Sequence, residues 1–329
     1  MTTSVARAKP LQRSFAEKLA LDRFSGVLVL AVLVVIFGTA LPDTFLTATT
    51  LKAVSQNQAV TFMAALALIL PLAAGIFDLS VAATLGVAVV LSLKLIEGGT
   101  PVVLAILATF GVGLVIGVVN GVVIVGLQVS SFIATLGMSS VLAAIAYWIT
   151  DGNQLVGTND NAHSFTKLGQ GTLVGLAYPV WYAVVVAIII WYVTEATTVG
   201  RYLYGIGGNS EAARLAGVRV NLISFGSLVA SGLIASFAGV VLSAQLGTGG
   251  PDIGTPYLLP AFSTVLLGAT QVRNNGRVNV LGTLVACVLL ATGIYGLQLA
   301  GAPSWISSLF NGCALILAVA LSVRLTRRR

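Results

Sequence analysis

The amino-acid sequence predicts an all-α polytopic membrane protein with about ten transmembrane helices and both termini in the cytoplasm. Three observations lead there. The 329 residues are 57% hydrophobic and only 8% charged, with a mean hydropathy of +1.01, whereas a soluble domain carries about 25% charged residues to cover its surface. Ten apolar runs have the length, about 17 to 25 residues, that crosses a bilayer. The basic residues fall almost wholly on one side of those runs, as the retention of positive charge in the cytoplasm requires.

Residues 1–25 form a cytoplasmic segment with five basic residues, Arg7, Lys9, Arg13, Lys18 and Arg23. No small-residue cleavage site follows the first apolar run, so that run is expected to remain as a helix. One transmembrane domain, 26–323, then holds the runs 26–42, 54–75, 77–95, 101–125, 131–150, 178–198, 222–245, 257–271, 279–299 and 305–323. The second opens on Ser55, Gln56, Asn57 and Gln58, and the eighth is short and starts near Pro256 and Pro260; either reads as a broken helix. Two connections exceed a tight turn. The outer one, 151–177, is rich in Gly, Asn and Thr; the inner one, 194–221, is basic with its own helical pattern. A basic tail, 324–329, closes the chain on the cytoplasmic side.

With ten spans, the inner segments hold the five amino-terminal basic residues with Arg201, Arg214, Arg219, Arg273, Arg277, Arg324, Arg327, Arg328 and Arg329, and only Lys52, Lys94 and Lys167 fall outside. An odd number of missed spans would scramble this division. The net charge of +7 is therefore a matter of topology. It is scattered through short loops rather than gathered on one face, and the expected surroundings are membrane lipid, not nucleic acid. Cys287 and Cys313 lie in apolar runs without ligand spacing and read as packing residues. His163, the single histidine, stands in the outer loop without Cys or acidic partners at metal-ligand spacing. No catalytic, metal or cofactor site is expected. No G-x-x-x-x-G-K-[ST] occurs, so the chain has no phosphate-binding loop of that kind.

The inner loop carries the run Gly200-Arg201-Tyr202-Leu203-Tyr204-Gly205-Ile206-Gly207-Gly208-Asn209-Ser210-Glu211-Ala212-Ala213-Arg214-Leu215-Ala216-Gly217. Asn209 or Ser210 can cap a short helix, Glu211 in its first turn complements the helix dipole, and Gly217 ends it in a left-handed cap. Glu211-Ala212-Ala213 followed by Gly217 resembles the EAA motif of ABC importer permeases, and the preceding Gly-Arg-Tyr-Leu-Tyr-Gly-Ile-Gly-Gly-Asn is similar to the version in the ribose and monosaccharide permease family. Asp78-Leu79-Ser80-Val81, Ser131-Phe132-Ile133-Ala134-Thr135-Leu136-Gly137, and Tyr257-Leu258-Leu259-Pro260-Ala261 with Gly268 and Gly282-Thr283 resemble further signatures of that family. Ile76, Phe77 and Ala82 stand where Gly, Ile and Gly are usual, and Arg273-Asn274-Asn275-Gly276-Arg277 replaces a glycine-rich turn.

The resemblance implies a multi-pass protein of the bacterial inner membrane. It implies a second permease copy or paralogue, a solute-binding protein outside, and a cytoplasmic ATPase that binds the ATP and Mg. The solute would be a monosaccharide or similar small polar molecule, or, in related permeases, another small metabolite such as a branched-chain amino acid. It makes Gly200, Arg201, Asn209, Glu211, Ala212, Ala213, Arg214 and Gly217 candidate contacts to the ATPase.

Polar residues in apolar runs are the candidates for the solute path: Gln58, Asp78, Asn120, Thr135, Gln245 and Asn311. Amides and hydroxyls suit a polyol, and they also hydrogen-bond helices together. A carboxyl at membrane depth costs about 2.5–3.5 kcal/mol on insertion scales, so Asp78 either belongs to a path or gate or caps the third span at the inner interface with Ser80. Tyr147, Trp148, Trp181, Tyr182, Trp191 and Tyr192 read as interface belts. Gly113 and Gly117 are spaced for close helix packing. An ion-coupled secondary transporter would need more buried charge than Asp78 supplies, and a membrane enzyme would need clustered His, Asp or Glu on neighbouring spans.

Overall fold

A computed structural model describes residues 21–271 and 276–327. The predicted cytoplasmic segment up to residue 20, Arg273, and Arg328 and Arg329 lie outside the described residues. The helices, in chain order, are α1 (Leu21–Ala40), α2 (Ala48–Ala73), α3 (Val81–Glu97), α4 (Val102–Gly121), α5 (Ser131–Thr150), α6 (Asp160–Gln170), α7 (Tyr178–Trp191), α8 (Thr198–Gly208), α9 (Ser210–Leu215), α10 (Val220–Leu246), α11 (Leu258–Gln271), α12 (Val280–Leu299) and α13 (Ile306–Arg327). A helix fills each of the ten apolar runs, while α6, α8 and α9 occupy the two long connections. Among the described residues, six stretches are long and apolar enough to cross a membrane: α2, α4 with its π-turn Val122–Gly126, α5, α7 with its π-turn Tyr192–Ala196, α10 and α12.

The centre of the molecule is α2 with α10. A helix apolar on every face is stable only when surrounded, and Met63 to Ile69 of α2 are all 0% exposed. The expected break in this span is absent: α2 runs unbroken from Ala48, and Ser55 to Gln58 lie inside it. Its Pro71 falls in the last turn. On the outer helices the apolar side chains face outward, as Val103, Leu104 and Leu107 of α4 and Val185, Ile188 and Ile189 of α7 do; lipid is the solvent for such a surface.

The pair α4–α10 is in backbone contact. A Cβ on Gly232 would lie 2.3 Å from the Gly113 carbonyl, and one on Gly117 would lie 2.7 Å from that of Leu228, which is why small residues at that spacing are needed. Of the two cysteines, Cys287 is buried as expected, but Cys313 is exposed on α13 and is not a core residue.

The connection between α5 and α7 is ordered by polar anchors. The carboxylate of Glu97, at the end of α3, accepts from the amides of Thr158 and Asn159. Asn159 caps α6 through the Ala162 amide at 2.8 Å. Strand β1 (Leu155–Val156) pairs antiparallel with β4 (Thr248–Gly249), and β2 (Thr172–Leu173) forms a hairpin with β3 (Leu176–Ala177). Beyond β4 the chain folds back against α3, where Gly254 meets the backbone of Ala82 and Gly86. It then makes a 3₁₀ turn at Thr255–Tyr257. Those residues are spent outside the helix, which is why α11 has only 14 residues.

Candidate functional site

The connection between α7 and α10 folds as the capping residues dictate. Asn209, in extended conformation, accepts from the Ala212 amide at 3.0 Å and so caps α9. At the other end Gly217 has φ +82°; the Gly217 amide donates to Arg214 and the Val218 amide to Ala213, each at 3.0 Å. This is a left-handed helix stop that a Cβ would strain. Ala213 is buried against the body, while Glu211, Ala212, Arg214 and Leu215 are exposed, Leu215 at 88%. Glu211 and Arg214 approach to 3.4 Å, a pairing in water that contributes little to stability. Arg201 is also exposed, and Gly200 packs directly on the Thr194 carbonyl. The helix is thus a rigid knob with two charges and one bare leucine on its free face.

The six polar candidates fall in three places. Asp78 lies in the non-helical turn between α2 and α3, and Asn120 and Thr135 bond to that turn. Asp78 is 2% exposed. Its Oδ1 accepts from the Ser80 amide at 3.1 Å and the Ser80 hydroxyl at 2.6 Å, and its Oδ2 accepts from Ser231 of α10 at 2.7 Å. Asn120 of α4 donates to Ser80 Oγ at 2.8 Å. The turn's own backbone is met by α5: Thr135 Oγ1 accepts from the Leu79 amide and donates to the Phe77 carbonyl, and Ser139 donates to the Leu79 carbonyl. Asp78 accepts at the start of α3 and from Ser231 in the middle of α10.

Gln58 and Asn311 come together in a polar pocket between α2, α11, α12 and α13. It is lined also by Thr61, Thr264, Tyr295, Gln298 and Ser307, with Pro260, Leu290 and Ile294 as apolar walls. Gln298 donates to Ser307 Oγ and Asn311 to the Ser307 carbonyl, each at 2.9 Å. Sequence reading missed the pocket around Gln58 because its other walls sit on helices distant in the chain. Gln245 stands apart, at the C-terminal end of α10 under α6; its main-chain carbonyl accepts from Gln170, and its Oε1 is buried with no partner among the described residues. Among the described residues no cluster of His, Cys, Asp or Glu could hold a metal ion.

The pocket, the turn and the capped knob all lie within residues 50–319, which match the family model described as "Branched-chain amino acid transport system / permease component". The chain belongs to this permease family. The permease is 32% identical over 308 residues to the ribose import permease protein of Escherichia coli K12, covering 93% of this chain and 95% of that one. It is 31% identical over 301 residues to the ribose import permease protein of Bacillus subtilis 168, covering 92% of each. With the L-arabinose ABC transporter permease protein of Azospirillum brasilense it shares 30% over 299 residues, 91% of this permease and 87% of the relative. No solved structure matches.

Proposed function

We propose that this chain is the membrane-spanning subunit of an ABC importer that carries a monosaccharide or similar polyhydroxylated solute across the bacterial inner membrane. Ten spans with both termini in the cytoplasm place α8 and α9 inside. A second permease copy or paralogue completes the path, a solute-binding protein delivers solute from outside, and a cytoplasmic ATPase supplies the energy. The observation that carries the reading is the capped α9 knob, in a chain that shares about a third of its residues, over nine-tenths of its length, with ribose permeases. Closure of the ATPases on ATP would move α9, and the spans would switch access from outside to inside as packed bodies.

The polar pocket supports a sugar rather than an apolar side chain as cargo. Its amides and hydroxyls offer donors and acceptors without a charge, and the ring of Tyr295 with the aliphatic walls suits the C–H faces of a pyranose or furanose. Replacing Glu211 with Lys reverses the charge at the first turn of α9 and is expected to leave membrane insertion intact while abolishing uptake. Normal uptake by that variant would remove α9 from the mechanism. Uptake of leucine in place of ribose, arabinose, allose or fructose would move the chain to the amino-acid branch named in its family description.

A further inference from the structure

We propose that Gly207 is the contact through which α9 passes its motion into the membrane, and that the α2–α3 turn is the element that receives it. This rests on α9 being the ATPase-facing helix.

The first observation is a bare backbone contact. A Cβ on Gly207 would lie 2.3 Å from the Ala73 carbonyl oxygen and 3.2 Å from the Gly75 amide nitrogen. One on Gly75 would meet Gly207 Cα at 3.5 Å, and Gly75 has φ +77°. The end of α8 and the end of α2 therefore touch main chain to main chain, with no side chain between to yield. The neighbouring glycines behave otherwise: at Gly205 and Gly208 an added Cβ would meet nothing within 4 Å. Close approach is needed at Gly207 alone among the three.

The second observation is that both partners are stiff. The cap residue of α9, Asn209, donates its amide to the Gly205 carbonyl at 3.1 Å, so α9 is tied to the last turn of α8. The turn 74–80 is held on three sides: by the hydroxyls of Ser131, Thr135 and Ser139 on α5, by Asn120 of α4 through Ser80, and by Ser231 of α10 through Asp78. Its other end is closed by the Ile76 amide on the Pro71 carbonyl at 2.9 Å. A displacement delivered at Gly207 thus has no loose residue to absorb it and reaches three spans at once. Packed elements with discrete hydrogen-bonded arrangements transmit shifts of this kind. In this scheme Asp78 is a positioning residue that fixes the far end of the turn to α10.

The test uses the permease purified with its ATPase in nanodiscs, and reads hydrogen–deuterium exchange with and without ATP and vanadate, which needs no knowledge of the solute. In the wild type the nucleotide should change exchange both in α9 and in residues 74–80. In Gly207→Val the change in α9 should persist and the change in 74–80 should be lost, while Gly208→Ala should behave as the wild type. A wild-type response at 74–80 in Gly207→Val overturns the proposal. Because that variant can fail to assemble, the wild type supplies a second reading that needs no substitution: a nucleotide response in α9 with none at 74–80 overturns the proposal. Absence of any nucleotide response at α9 in the wild type would instead remove the ATPase-facing reading of α9, and this inference with it.

Discussion

Loss of the Ser231 hydroxyl is expected to be among the costliest single-atom deletions in this permease. Ser231 is 0% exposed, and it is the one donor to Oδ2 of Asp78 among the described residues. The other oxygen keeps its two donors from Ser80. A buried acceptor left without its donor costs about 1–3 kcal/mol, and Asp78 is only 2% exposed. Ser231→Ala should therefore cost about 2 kcal/mol, roughly a thirtyfold fall in the folding equilibrium at 1.4 kcal/mol per tenfold. Reversible unfolding in mixed micelles measures this. Ser227→Ala is the matched control, since Ser227 is equally buried on α10 but donates only to the Ser224 carbonyl of its own helix; it should stay within about 0.5 kcal/mol. In an Asp78→Asn background the cost of Ser231→Ala should shrink below about 1 kcal/mol, because the carboxyl that Ser231 serves is gone. Equal losses for Ser231→Ala and Ser227→Ala in the wild-type background would refute the reasoning, since Asp78 Oδ2 would then not depend on Ser231.

Other expectations follow from single contacts. Asn209→Ala removes the cap of α9 at a cost of about 1 kcal/mol, so amide exchange in residues 210–215 should rise about fivefold while the remaining helices exchange as before. Gln58→Leu or Asn311→Leu should each lower sugar uptake about tenfold, the worth of one hydrogen bond of roughly 1–1.5 kcal/mol, with assembly unchanged by gel filtration. The connection between α5 and α7 should show an acid limit. The Thr158 and Asn159 amides hold the Glu97 carboxylate below its ordinary value of 4.5, so its contribution is present above that value and is lost as pH falls through the lower folded one. Protease protection of residues 151–177 should be level from neutral pH down to about 5 and decline below 4.5, and Glu97→Gln should abolish that decline.

What could be read from the sequence was local. The helices lie within a few residues of the apolar runs because lipid leaves the backbone no other way to satisfy its hydrogen bonds. The α9 knob was legible because a cap at Asn209 and a stop at Gly217 are neighbours in the chain. The errors share the opposite cause. Ser55 to Gln58 suggested a broken second helix, yet Gln58 faces a pocket whose other amides come from α12 and α13, more than 200 positions downstream. Asp78 could be matched with Ser80 two residues on, but its second partner, Ser231, stands 153 positions away. Gly207 looked no different from Gly205 or Gly208, because what separates them is the end of α2.

The central claim is that this permease works by coupling α9 to a separate ATPase. The direct test is purification of the tagged wild type and Glu211→Lys with co-expressed neighbouring genes, followed by identification of co-purifying chains and ATP-dependent uptake in vesicles. The account predicts an ATPase that accompanies the wild type, is lost with Glu211→Lys, and drives sugar uptake only in its presence. Uptake by the permease alone, persisting without ATP and collapsing with the ion gradient, would contradict it.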